Sequence, residues 1–493
     1  MGASGNPITF SAYGTGNKPL INGQGNTEAT IFIKNEVSYI IVDGFAVTNY
    51  DGQDIFDGTE NKRSGIRSGF WGGDQKGITI RNNEVYWVEG CSNHNQVGPP
   101  RGTSLDSTEY HLYNNAGIFI NASVTDSVTI KGNYVHDLTC TGIFVFSYTM
   151  SYHTIIRSNA VYNSGADGIE LLHAEYPLVE LNSCIKAGNN SGTNPRGPGV
   201  LGYNGLAVAG IWSYGSLSPV FQYNYCESTM VIMWDGQAWD FDIDVTGDAV
   251  YQYNYSCYNE GGFNLGGEPG HTCRYNISYN DGSRQAVHGA QGFFNGSPLY
   301  YNNVFYRDDG QGFVFDGAGT FRNNIFHTNG TTNITYQNSG RTFDHNCFSG
   351  HTPVNPGGSA VIGDPLFNAT EKPGRLKPGE IPTKADLERL AAFFKLKAGS
   401  PCINTGTQIS NNGGIDFIGA ALYTGQADIG AYEYTGVSIS GYTTDRVGSS
   451  RPYMGQGPVF DLLGRIIGIK DDIIYNGAPS GIYIKGTDQL LIQ

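Results

Sequence analysis

Apolar residues along this chain fall in runs of about three to five, rich in Ile, Val, Phe and Tyr and broken by Gly or Asn, which is strand patterning. No long stretch carries a 3.6-residue apolar period, so helices are not the building unit. One phrase keeps returning: Asn, an apolar or aromatic residue, a short polar spacer, then Gly and a brief apolar run. It reads NNEVYWVEG from Asn82, GNYVHDLTCTGIFVF from Gly132, SNAVYNSGADGIELL from Ser158, YNYCESTMVIMW from Tyr223 and YNYSCYNEGGFNL from Tyr253. It continues as YNISYNDG, YNNVFYRDDGQGFVF, RNNIFHTNG and DHNCFSG. Recurrence at roughly 20 to 30 residues predicts a solenoid in which each unit is one coil.

Leucine-rich repeats would need regularly spaced Leu, and a propeller would need blades of about 40 to 50 residues. Neither is present, so the pattern predicts an all-β fold, a right-handed parallel β-helix with coils stacked at about 4.8 Å. Asn at one fixed point of each coil suits a sharp bend, because it tolerates left-handed backbone angles and its amide can reach the equivalent Asn one coil away. The 70 glycines among 493 residues are expected to supply the other bends.

The repeat runs from Asn6 to about Phe348, with insertions at Tyr50 to Gly65, Cys91 to Asn114 and Lys186 to Gly205 that read as loops thrown from coil corners. Beyond Phe348 come DPLFN from Asp364, a helix expected over Thr383 to Lys397 with a Thr383/Asp386 cap, KAGSPCINTG from Lys397 and DIGAYEY from Asp428. The helix is expected to cover the open end of the solenoid, since a bare edge would template aggregation. Residues 1–435 thus form the β-helix domain with its cap, and 436–493 a linker followed by a small β module.

A formal net charge of −15 and a pI near 5.0 argue against nucleic acid and anionic membrane surfaces as partners. No membrane-spanning run is visible. Tyr (32) and Phe (25) outnumber what the 15% of charged residues would suggest, and most of these rings belong in the coil interior. Eight cysteines form no CxxC pair, which disfavours structural zinc. Those in the repeat phrase (Cys140, Cys226, Cys257, Cys273, Cys347) suit a small buried hydrophobe as well as a disulfide.

The sharpest chemical signal is IMWDGQAWDFDIDVTGD, Ile232 to Asp248. Strict alternation in WDFDIDV would send Phe241, Ile243 and Val245 one way and Asp240, Asp242 and Asp244 the other. Carboxylates that close raise one another's pKa, so one could act as general acid while its neighbour stays ionised. Asp242, Asp244, Asp235 and Glu260 are therefore the catalytic candidates. Trp212, Trp234 and Trp239 would stack sugar rings, and Glu170, His173, Glu268, Arg284 and His288 would bind substrate. Laid under one another by their Gly-apolar runs, the coils place His173 above Asp235 and near Glu268. The same Asp run could be a solvated face or a Ca²⁺ site, and no cofactor is otherwise implied.

The opening MGASGNPITFSAYGTGNKPLINGQG and the closing set DPLFN, KAGSPCINTG and DIGAYEY resemble segments of the secreted parallel β-helix repeat proteins of polysaccharide-degrading Bacteroidetes. VFDLLGR at Val459 and PSGIYIKG at Pro479 resemble the carboxy-terminal sorting domain of type IX secretion. These resemblances imply an amino-terminally trimmed chain, export to the medium or the outer-membrane surface, and a glycan partner for a monomer. Hydrolysis of a polysaccharide by paired carboxylates is the leading reading. The alternatives are a lyase on a uronate polymer, using Lys62, Arg63, Arg67, Lys76 and Arg81, and a non-catalytic glycan-binding adhesin. The catalytic motifs of pectin hydrolases and alginate lyases find no full match here.

Overall fold

A computed structural model describes residues 2–52, 63–69, 72–90, 115–189, 207–231, 234–266, 270–282, 298–315, 318–330, 335–336, 340–351, 355–422 and 425–435, together with strands at 458–460, 466–469, 482–485 and 489–492. Three long parallel sheets run its length, of 12, 9 and 13 strands. One coil passes from the first sheet (Thr129–Lys131) to the third (Tyr134–His136), then the second (Thr141–Tyr152), and returns to the first (Ile155–Arg157). Every strand pair within these sheets is parallel and most are in unbroken register, so the fold is a parallel β-helix as the repeat predicts.

The Asn of the repeat phrase stands at the corner between the first and third sheets. Asn83, Asn133, Asn159, Asn182, Asn224, Asn254, Asn276, Asn303, Asn324 and Asn346 form one buried ladder in which each Nδ2 donates to the next Oδ1 at 2.9–3.1 Å. The left-handed backbone falls one residue earlier than expected, on Asn82, Ser158, Leu181, Tyr223, Tyr253 and Tyr275, with φ between 52° and 58°. A non-glycine residue there costs about 1–2 kcal/mol. Each ladder Asn takes part in several buried hydrogen bonds worth about 1 kcal/mol apiece, which offset that cost.

The glycine of the phrase has a different task from the bend foreseen for it. Gly65, Gly117, Gly142, Gly168 and Gly210 form a column on the second sheet with ordinary φ. A Cβ at Gly142 would lie 2.5 Å from Val161 Cγ1, and at Gly168 2.1 Å from Cys184 Sγ. They are empty space into which the third sheet packs.

Inside, the first and third sheets compensate each other in volume. Val85, Val135 and Val161 face Ile80, Ile130 and Ile156, but Cys226 and Ser256 on the third sheet accompany the larger Phe221 and Tyr251 on the first. The seven cysteines among the described residues are buried and unbridged.

A second core lies outside the coils. The outward rows of the third sheet (Tyr225, Tyr255, Ile277, Tyr279, Val304, Tyr306) pack against Phe367, Leu376, Leu387, Leu390, Phe394 and Tyr432 of the segment that follows the last coil. The predicted helix spans Lys384–Ala391, continued by a 3₁₀ turn at Ala392–Phe394, and Thr383 and Asp386 cap it reciprocally at 3.1 Å. It covers the flank of the solenoid and not its open end, because its apolar face meets an apolar row along the third sheet: Phe394 lies 5.4 Å from Tyr306. The same segment reaches back to Glu227 through Arg375 and to Ser183, which donates to Glu380 O at 2.6 Å. The strands at 458–492 pair as a separate four-stranded antiparallel sheet. Residues 436–457 lie outside the described residues.

Candidate active site

The outer face of the second sheet changes character along its length. In register, one row reads Phe32, Arg67, Phe119, Phe144, Glu170, Trp212 and Asp240. The row beside it reads Asn121, Phe146, Leu172, Tyr214 and then Asp242, whose N–H donates to Ser213 O at 3.0 Å. The first row carries its first acid at Glu170, and both rows are acidic at the coil of Gln237–Phe241.

Four carboxyls converge there behind Asp242. Asp167 stands just before the glycine column and accepts from Ala209 N–H at 2.8 Å and from the Trp212 side chain. Burial pushes Asp167 up to about 7. Burial, and then the charge of Asp167, lift Glu170 well above the usual carboxylate range. Asp235 is held up to about 7 by burial first, and by Asp242 and Asp167 after it. Asp240 is also raised, by burial and by Asp242, Asp235 and Asp167. Buried acids that repel one another in this way are costly to a fold and are a mark of functional sites. Asp235 adds backbone strain, with φ 66° followed by Gly236 at φ 88°.

Asp242 is half-buried at the rim, its Oδ1 accepting from Ile243 N–H at 2.7 Å. The alternation foreseen for WDFDIDV stops at this point. The strand ends at Phe241, Val245 N–H closes a turn onto Asp242 O at 3.3 Å, Ile243 is 54% exposed, and Asp244 is left-handed at φ 63°. Asp244 therefore leaves the row and lies in solvent, where Tyr214 Oη donates to it at 3.4 Å.

Glu260 stands on the next coil beside Asp235, where Gly261 N–H donates to Gly236 O at 2.9 Å, and its carboxylate accepts from Val231 N–H at 2.8 Å. His173 does not stack on Asp235. Its neighbours are Ser147, whose carbonyl accepts from Nδ1 at 2.6 Å, and Tyr214, 5.7 Å between ring centroids. Laying the coils by glycine slips here, because the glycine column stops at Gly210 and the next two coils hold Ala238 and Phe263 at that position.

Trp239 points into the core and is fully buried, so it stacks no sugar. Trp212 is outward by parity yet buried, and serves Asp167 as a donor. The side chain of Trp234, and Glu268, Arg284, His288 and Lys62, lie outside the described residues.

The basic cluster proposed for a lyase is spent in local contacts. Arg63 is buried between Asp51 and Glu89 at 2.9 Å each, and Arg81 pairs with Asp43 at 2.8 Å. Lys76 lies 3.8 Å from Asp126, and Arg67 is buried against the Phe119 ring. Among the described residues, no set of three His, Cys, Asp or Glu is placed to hold a metal ion.

No family model matches the chain. It is similar to a lacto-N-biosidase of Bifidobacterium longum subsp. longum, 28% identical over 88% of this chain and 32% of that protein, so it spans about a third of the relative's length. Among solved structures it is similar to the GH136 lacto-N-biosidase of Eubacterium ramulus, 21% identical with a TM-score of 0.47 over 69% of this chain and 58% of that one. A pectate lyase is 15% identical with a TM-score of 0.40, over 87% and 86% of the two chains.

Proposed function

We propose that this chain is the β-helix portion of a glycoside hydrolase, with Asp235 as general acid and Asp242 as its ionised partner. The observation that carries the reading is the pairing of a strained, charge-surrounded Asp235 with a rim-placed Asp242 on one coil. Asp235 donates its proton to the glycosidic oxygen as the bond to the anomeric carbon breaks. The carboxylate of Asp242 stabilises the positive charge that develops on the sugar, and water supplies the hydroxyl that completes hydrolysis. Asp167 and Asp240 act on the acid through their fields and not through the substrate, and Glu170 acts in turn on Asp167.

The similarity to a lacto-N-biosidase supports a lacto-N-bioside as the substrate class. Replacing Asp235 or Asp242 with Asn is expected to cut release of reducing ends by about 10²- to 10⁴-fold while leaving glycan binding in place. Turnover unchanged in both variants would refute the assignment. A rise in unsaturated-uronate absorbance would point to the lyase reading, and binding without any turnover in the parent to the adhesin reading. Export fits a glycan-degrading enzyme, and the antiparallel sheet at 458–492 is a candidate sorting module.

A further inference from the structure

The acids occupy only one end of the second sheet's outer face, and the remaining coils of that face need an account. Next to Asp242 in register come Tyr214, Leu172 and Phe146, all half-buried, on three successive coils running toward the amino terminus. At about 4.8 Å per coil, Phe146 lies about 14 Å from Asp242 along the axis. Tyr148, two residues on from Phe146, is 37% exposed and meets it edge-on at 4.7 Å between centroids. His173 closes the strip between Phe146 and Tyr214, 5.7 Å from each ring.

The seat of His173 is built. Its Nδ1–H donates to Ser147 O at 2.6 Å, which leaves Nε2 of the neutral ring as an acceptor. A Cβ at residue 215 would come within 2.5 Å of the imidazole, and glycine is found there at φ 58°. Beside the strip, on the same face, Phe119 and Phe144 stack at 4.9 Å and form with Ala116 a small apolar cluster, separate from the main core, against which Phe146 and Leu172 pack. The strip braced by this cluster joins flat apolar faces to a hydrogen-bond acceptor, as a sugar ring requires.

We propose that Phe146, Tyr148, His173 and Tyr214 form the subsite that holds the sugars beyond the cleaved residue, so that the glycan lies along the solenoid axis from Asp242 toward the amino-terminal coils. This rests on the glycosidase reading for the position of the cleaved bond. The face is continuous with the acid site through the Tyr214–Asp242 register, and its occupant is the rest of the same substrate.

The test compares an oligosaccharide carrying lacto-N-biose with a small aryl lacto-N-bioside. Tyr148→Ala, an exposed position that should leave folding intact, and Phe146→Ala are expected to lower kcat/KM on the oligosaccharide by about tenfold through KM, and on the aryl glycoside by less than about twofold. His173→Ala should act in the same direction. Equal losses on both substrates, or none on either, would overturn the subsite. Affinity of the oligosaccharide for Asp242→Asn, with and without Tyr148→Ala, separates the two readings. A tenfold loss of affinity on adding Tyr148→Ala, with no glycan turnover by the parent protein, would keep the subsite and sink the hydrolase, while turnover by the parent with unchanged affinity would do the reverse.

Discussion

Asp235 combines three properties seldom found together on one carboxyl: a left-handed backbone, burial, and carboxylates as its neighbours. The last two favour the protonated acid at neutral pH. The group is competent while it keeps its proton, so kcat/KM should fall as pH rises through about 7. Stability should follow the same sign. A carboxyl whose folded pKa is raised contributes fully below its unfolded value near 4 and loses that contribution as pH rises through the folded value. Asp167 and Asp235, both near 7, therefore predict a melting temperature that declines between pH 5 and pH 8. Asp167→Asn should flatten that decline, and calorimetry across the range would check it. The sequence pointed to Asp242 through the alternating carboxylates of WDFDIDV, and to Asp235 and Glu170 as acids in the same and neighbouring coils. It placed Asp240 in the outward row and Asp167 at a neighbouring turn without making either a site residue, since a buried Asp in a coil reads like a turn residue. A signal for Asp167 did exist: the positions preceding the other column glycines hold Ser64, Ala116, Thr141 and Ala209, and only this one holds an acid. The tryptophans misled for the opposite reason, because residue type suggested stacking while strand parity turned Trp239 inward.

Within an element, the two residues of the repeat phrase divide the work. Asn182 gives and takes four side-chain hydrogen bonds at 2.9–3.0 Å, two donated by Nδ2 and two accepted by Oδ1. Asn182→Ala would leave several of these partners buried and unpaired, and should cost at least about 3 kcal/mol in urea unfolding. Strand order and coil length were legible from the recurrence alone, because the ladder demands the same residue at the same place in every coil. Where the left-handed residue falls was not, since Leu181 and Tyr223 have no intrinsic preference for φ above zero and accept it under the constraint of the neighbouring coils. Nor was the end of the glycine column, which stops at Gly210 and gives way to Ala238 in the coil that carries Asp235 and Asp242.

Across the whole molecule, the β-helix carries two separate apolar cores, one within the coils and one between the third sheet and residues 367–434. The site stands on the second sheet, away from that flank. Leu390→Ala should therefore loosen the flanking segment, by about 2–5 kcal/mol if its cavity does not collapse, without lowering kcat. Cys402, buried in the flank core with Cys347 and Cys257, offers the readout: its labelling by a thiol reagent should quicken in the variant while that of Cys184 and Cys226 stays slow. The helix position was misread because an apolar helical face after a solenoid suits an end or a side equally well, and only the outward Tyr row of the third sheet decides between them. The three long insertions at 50–65, 91–114 and 186–205 all follow a strand of the third sheet and precede one of the second, as does Asp235 itself. The corner with the asparagine ladder carries none of them. Such a chain can vary its length between these two sheets like the pages at a book's fore-edge while the spine stays bound, so the sequence there can diverge between relatives without renegotiating the stability of the coils.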